Sequence, residues 1–221
     1  QCYNDAGYLP RVSWQISDLE GAQMGRASDV KRISLPNEDL TMSASGSEII
    51  TAEEKLVAEL DLLGIRYLSR QTPYRSDKIR SPEALLADLV RQPSARVRAA
   101  VIAVFLSHPE YADAVPAALR RLHPPERLTL QSFYLAAVLL QQEHAHRLRP
   151  FLSSRWRWLP ELREASAELK VPAKGTPRER LVVLGREHRR LAQAAVNWTG
   201  TYEQAAGRLL RQWEAETQWN R

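Results

Sequence analysis

The stretch from Pro93 to Leu122, PSARVRAAVIAVFLSHPEYADAVPAALRRL, restricts this chain more than any other. Val97, Ala100, Val101, Val104 and Phe105 recur at i, i+3, i+4, i+7 and i+8, the spacing that lines one stripe of an α-helix. Ile102, Ala103 and Leu106 spread apolar surface round most of the circumference, so this helix needs cover on more than one side. Ser94 predicts its N-cap. His108-Pro109 predicts its end, because proline pushes the residue before it out of helical dihedrals. A second helix then carries Val115, Ala118, Leu119 and Leu122 on one face, with Pro116 in the first turn, where backbone N–H groups have no helical partner.

A hairpin so apolar implies neighbours. On a shift of 33 residues Val97 falls on Leu130, Ala103 on Ala136, Val104 on Ala137, Val115 on Leu148, Ala118 on Phe151 and Leu119 on Leu152. In the other direction Ala118, Leu119 and Leu122 fall on Leu85, Leu86 and Leu89. The run Val97-Arg98-Ala99-Ala100, a turn, and then Ala114-Val115-Pro116-Ala117-Ala118-Leu119 resembles a HEAT-type repeat. The turn departs from the family pattern, with Ser107-His108-Pro109 in place of Gly-Asp. The resemblance implies an all-α fold, a short α-solenoid of stacked antiparallel helix pairs, each covering a face its neighbour exposes. It also implies that the second helix of each pair lines an inner, concave surface.

The rest of the chain supplies boundaries. Residues 1–47 mix Gly, Pro, Ser and Asp without sustained period and read as a poorly structured amino-terminal arm, with Met42 a candidate natural start. A helical domain is expected over 48–221. Thr51-Ala-Glu-Glu54 is a capping box, followed by Leu56, Leu60 and Leu63 on one face and Gly64 as a stop. Core hairpins are expected over 81–152, beginning with the N-cap signal Ser81-Pro82-Glu83 and including a long helix from Pro124-Pro125 to Gln142. Terminal covering helices are expected over 176–219. They are announced by the capping boxes Thr176-Pro-Arg-Glu179 and Thr201-Tyr-Glu-Gln204, with Leu181, Leu184, His188, Leu191, Ala192 and Ala195 on one face.

Composition excludes some classes. Of 221 residues 44% are hydrophobic and 26% charged, ordinary for a globular chain. No apolar run approaches the roughly 20 residues a membrane helix needs, and no positive n-region precedes an apolar segment. No membrane association is expected. Cys2 is the single cysteine, which allows no internal disulfide and accords with a cytoplasmic setting.

Candidate chemistry is sparse. Glu143, His144 and His146 cluster, but residues two apart on a helix point different ways, so no metal site is expected. His188 lies on an apolar face and reads as a hydrogen-bonded core residue rather than a base. No catalytic, phosphate-binding or cofactor motif appears, and no cofactor is expected. The remaining signal is basic and aromatic: Arg120, Arg121, Arg147, Arg149, Arg155, Trp156, Arg157 and Trp158. Arg120 and Arg121 fall on the second helix of one repeat, Arg147 and Arg149 on that of the next, while Arg155-Trp156-Arg157-Trp158 interleaves guanidinium groups with aromatic planes. The expected function is a non-enzymatic helical adaptor that binds another protein through its concave face or carboxy-terminal helices. The alternatives are a nucleic-acid backbone binder through residues 120–158, of the HEAT-like DNA-repair kind, and one component of a two-gene toxin–antitoxin or defence pair.

Overall fold

The computed structural model describes residues 51–69 and 76–219; the arm expected over 1–47 lies outside them. All regular structure among the described residues is helical. The elements are α1 (Ala52–Leu62), α2 (Pro82–Val90), α3 (Ala95–Arg98), α4 (Ala100–Ser107), α5 (Val115–Arg120), α6 (Pro124–Glu143), α7 (Ala145–Leu152), α8 (Arg163–Glu168), α9 (Pro177–Leu191) and α10 (Trp198–Trp219). Short 3-10 turns join α4 to α5 and extend α7.

Local chemistry sets most boundaries. Thr51 Oγ1 accepts the Glu54 N–H at 3.2 Å and the Glu54 carboxylate accepts the Thr51 N–H at 2.7 Å, the reciprocal pair that opens α1. Thr176 and Glu179 repeat this arrangement at α9. Gly64, at φ +77°, takes the left-handed conformation that ends α1. The helix expected across residues 94–107 tightens at Ala99, where the Ile102 N–H reaches the Ala99 carbonyl at 3.1 Å, dividing it into α3 and α4. Ser94 and Ser81 make no side-chain cap; the Ser81 hydroxyl donates to Glu83 instead.

Two expectations shift in the last helices. Helix α10 begins at Trp198 rather than Thr201, because Asn197 Oδ1 accepts the Gly200 N–H at 3.1 Å and serves as the cap. Thr201, inside the helix, turns its hydroxyl onto the Asn197 carbonyl. Ala192 and Ala195, expected on the packed face of α9, are exposed because that helix stops at Leu191.

The core centres on α4 and α6. Every residue from Ala100 to Ser107 is buried, as is every residue of α6 from Ser132 to Gln141. Phe105 meets Tyr134 edge to face at 4.9 Å, joining the two helices. Around them α2 packs on α5, α9 packs along α6, and α10 crosses α9 and α4. Gly185 makes the α9–α10 crossing close, since a Cβ there would lie 2.2 Å from Thr199 Oγ1 and 2.9 Å from its backbone nitrogen. Far along α10, the Gln212 amide accepts the Arg66 and Tyr67 N–H groups at 2.8 and 3.1 Å and donates to the Gly64 carbonyl at 2.8 Å. The link before α2 is held by a buried carboxylate: Glu59 receives the Arg80 guanidinium at 2.6 Å, and Arg80 also reaches Asp88.

Candidate functional site

The basic and aromatic residues do not form one patch. Arg120 and Arg121 lie just before α6, Arg147 and Arg149 just after it, and a helix of 20 residues spans about 30 Å. Their charges are also unequally available. Arg121 faces Glu83 at 3.6 Å, Arg147 faces Glu214 of α10 at 2.5 Å, and Arg157 faces Asp113 at 2.9 Å while donating to the Pro109 carbonyl. Among the described residues, Arg120, Arg149 and Arg155 have no carboxylate within 4 Å.

Around the second cluster the chain builds a defined surface. Helix α7 ends at Ser153, whose φ of 48° reverses the backbone in a region that non-glycine residues seldom visit. The following segment returns across the end of α6 and is fixed there by buried polar groups. Gln141, fully buried, donates to the Arg157 carbonyl at 2.9 Å and accepts the Leu159 N–H at 2.8 Å. The Tyr134 hydroxyl donates to the Pro160 carbonyl at 2.6 Å, and burial raises its pKa above the ordinary phenol value. On this support Trp156 is half-buried, with the Arg149 guanidinium 5.3 Å from its ring centroid. Trp158 stands edge to face with it at 5.1 Å and is 52% exposed. Arg149, Arg155, Trp156 and Trp158 thus come together; Arg157 ties the segment to the 109–113 turn.

A second polar centre lies near the other end of α6, built on α9 and α10. His188 has 0% exposure and Trp198 7%. Their rings stack at 3.9 Å with an 18° tilt, and Phe133 of α6 meets the imidazole edge to face at 6.0 Å. The Tyr202 hydroxyl lies 2.6 Å from His188 Nδ1. A buried phenol has one proton to give, and Nδ1 is the acceptor in reach, so the imidazole proton resides on Nε2. That Nε2–H and the Trp198 Nε1–H have no hydrogen-bond partner among the described residues. Burial, with a lesser contribution from the nearby Arg98 charge, lowers the His188 pKa to about 4 and keeps the ring neutral. Both residues border a cleft of 370 Å³ that also includes Arg98, Glu126 and Thr129. Sequence reasoning placed His188 on a packed face but gave no sign of the cleft, because Arg98, Glu126 and Trp198 are distant in the chain.

Glu143, His144 and His146, at and just beyond the end of α6, remain apart in role. Burial lowers the His144 pKa, while Glu143 lies 3.9 Å from Arg178. No group of three metal-ligating side chains converges among the described residues, and no described helix is long and apolar enough to cross a membrane. In comparisons with known proteins, the chain matches no protein-family model, no curated protein and no solved structure.

Proposed function

We propose that this chain is a non-enzymatic binding module, a short HEAT-like array of helix pairs that docks another protein on the surface carrying Trp158. The observation that carries this reading is a tryptophan 52% exposed on a segment whose backbone is fastened to α6 by Gln141 and Tyr134. Tryptophan and arginine dominate the energetics of protein interfaces, and a contact segment ordered before binding loses less entropy on association. Arg149 and Arg155 flank the indoles, so the complementary partner presents an apolar pocket with an acidic rim. The packing of α2 on α5 and of α4 on α6 supports the repeat-like reading, while the contact of α10 with α4 closes the array on one side.

The test uses the full chain as bait. A partner recovered in fixed stoichiometry is expected to bind Trp158→Ala at least about 30-fold more weakly, the loss typical of a hot-spot aromatic. Arg155→Glu is expected to slow its association and alter the salt dependence. Binding undiminished by both substitutions rejects this surface.

A second reading rests on the stacking of Arg149 over Trp156 beside Trp158, which is also a platform for unpaired bases. Fluorescence anisotropy with a single-stranded oligonucleotide at low salt decides it. A rise abolished by Trp158→Ala favours nucleic acid; no rise removes that reading.

A further inference from the structure

We propose that the cleft between the start of α1 and the start of α3 binds a small apolar zwitterion of dipeptide size, its ammonium at Glu53 and its carboxylate at Arg96. The site is separate from the Trp158 surface and does not depend on it.

Two opposite charges border this cleft without meeting. Glu53 comes from the first turn of α1 and Arg96 from α3. No ion pair within 4 Å joins them, and neither has another charged partner within that distance among the described residues. Arg96 Nη2 donates to the Tyr67 carbonyl at 2.6 Å, which anchors the side chain. Its Nε is enclosed, but Nη1 and the Glu53 carboxylate oxygens are open to solvent, so a molecule in the cleft can reach both charges. The neighbouring acid is already occupied: Glu54 accepts the Thr51 N–H at 2.7 Å and the Thr51 hydroxyl at 2.8 Å in the cap of α1.

This pairing defines the ligand. A simple anion is drawn to Arg96 and repelled by Glu53, and a simple cation meets the reverse; a molecule carrying both charges satisfies both walls. Val57, Leu68 and Val97 supply an apolar floor, so the body between the charges is apolar. The cleft measures 660 Å³, inside the range of roughly 300–1,000 Å³ usual for small-ligand sites, and leaves room for two side chains. An apolar dipeptide with free termini meets each requirement, its extended backbone setting the two charges about 7 Å apart.

The experiment titrates the full chain with leucyl-leucine by calorimetry. In parallel, proton–carbon NMR follows the Val57 methyl signals, identified by their loss in Val57→Ile. Saturable heat with movement of those signals is expected. N-acetyl-leucyl-leucine lacks the ammonium and leucyl-leucinamide lacks the carboxylate. Each is expected to bind about 5- to 20-fold more weakly, between the worth of an exposed ion pair and that of a sheltered charge-assisted hydrogen bond. Glu53→Gln is expected to weaken leucyl-leucine by the same factor without weakening the acetylated peptide, so that the preference for a free amino terminus disappears. Because Arg96 also holds the Tyr67 carbonyl, its contact is read from the amide ligand rather than from a substitution. No saturable binding of leucyl-leucine, unmoved Val57 signals, equal binding of either capped peptide, or a preference that survives in Glu53→Gln each overturns the proposal.

Discussion

Gln141, within the long helix α6, and His188, on the helix α9 packed along it, are both excluded from water, yet their polar atoms are treated differently. The Gln141 amide uses both ends, donating to one backbone group of the returning segment and accepting from another. His188 uses one nitrogen on Tyr202 and leaves the other without an acceptor among the described residues. A saturated buried amide acts as a fastener, fixing where one length of chain crosses another. A half-used buried imidazole fixes its neighbours less completely. The first arrangement presents Trp158 outward; the second borders the cleft around Arg98.

The largest effect that separates the two is expected for Gln141→Leu. It leaves the Arg157 carbonyl and Leu159 N–H without their partner, and chemical denaturation should show a loss of about 2–5 kcal/mol. A loss below about 1 kcal/mol would mean that water readily replaces the amide and that the fastening is weak.

Next in size is the pH response of His188. Its folded pKa of about 4 lies below the unfolded value near 6.5, so the unfolded chain binds the extra proton first. The associated stability is present above pH 6.5 and is lost as pH falls towards 4, by about 3 kcal/mol in all. The double variant His188→Phe with Tyr202→Phe removes both hydrogen-bonding partners at once. It should flatten most of that slope at little cost at neutral pH, whereas His144, also lowered by burial, retains a smaller part. A slope unchanged in the double variant assigns the pH dependence elsewhere.

The smallest effect is expected for Tyr134→Phe, which deletes one hydroxyl from the segment that Gln141 already holds. A loss of about 1 kcal/mol, with Phe105 still packed on the ring, would rank this bond as an accessory to Gln141. A loss as large as that of Gln141→Leu would reverse the ranking.

Elements governed by neighbouring residues were the most legible in sequence. The Thr51–Glu54 and Thr176–Glu179 boxes, the Gly64 stop and the buried helix before His108 all depend on interactions spanning only a few residues. The start of α10 was misplaced because Thr201 and Asn197 are both sound caps in isolation. The choice follows from burial of Trp198 and Tyr202 and from the contact of Thr199 with Gly185. That glycine, inside an otherwise amphipathic pattern, is the signal from which a close helix crossing was readable.

The candidate site was legible in residue type rather than arrangement. Arg149, Arg155, Trp156 and Trp158 share a surface, but the pairings of Arg121 with Glu83, Arg147 with Glu214 and Arg157 with Asp113 join distant parts of the chain. Periodicity identifies which face of a helix is apolar, not which helix will cover it. For the same reason the packing of α9 on α6 and α10 on α4 was not readable from spacing alone.

The bond network of Gln212 gives the turn after α1 a long wait during synthesis. Gly64 and Arg66 are made 148 and 146 residues before their side-chain partner. At about 5–20 residues per second, a ribosome needs roughly 7–30 s to supply it. For that interval the Gly64 carbonyl and the Arg66 and Tyr67 amides have water, or a chaperone, in place of Gln212, so the turn after α1 is among the last of the described segments to acquire its final partners.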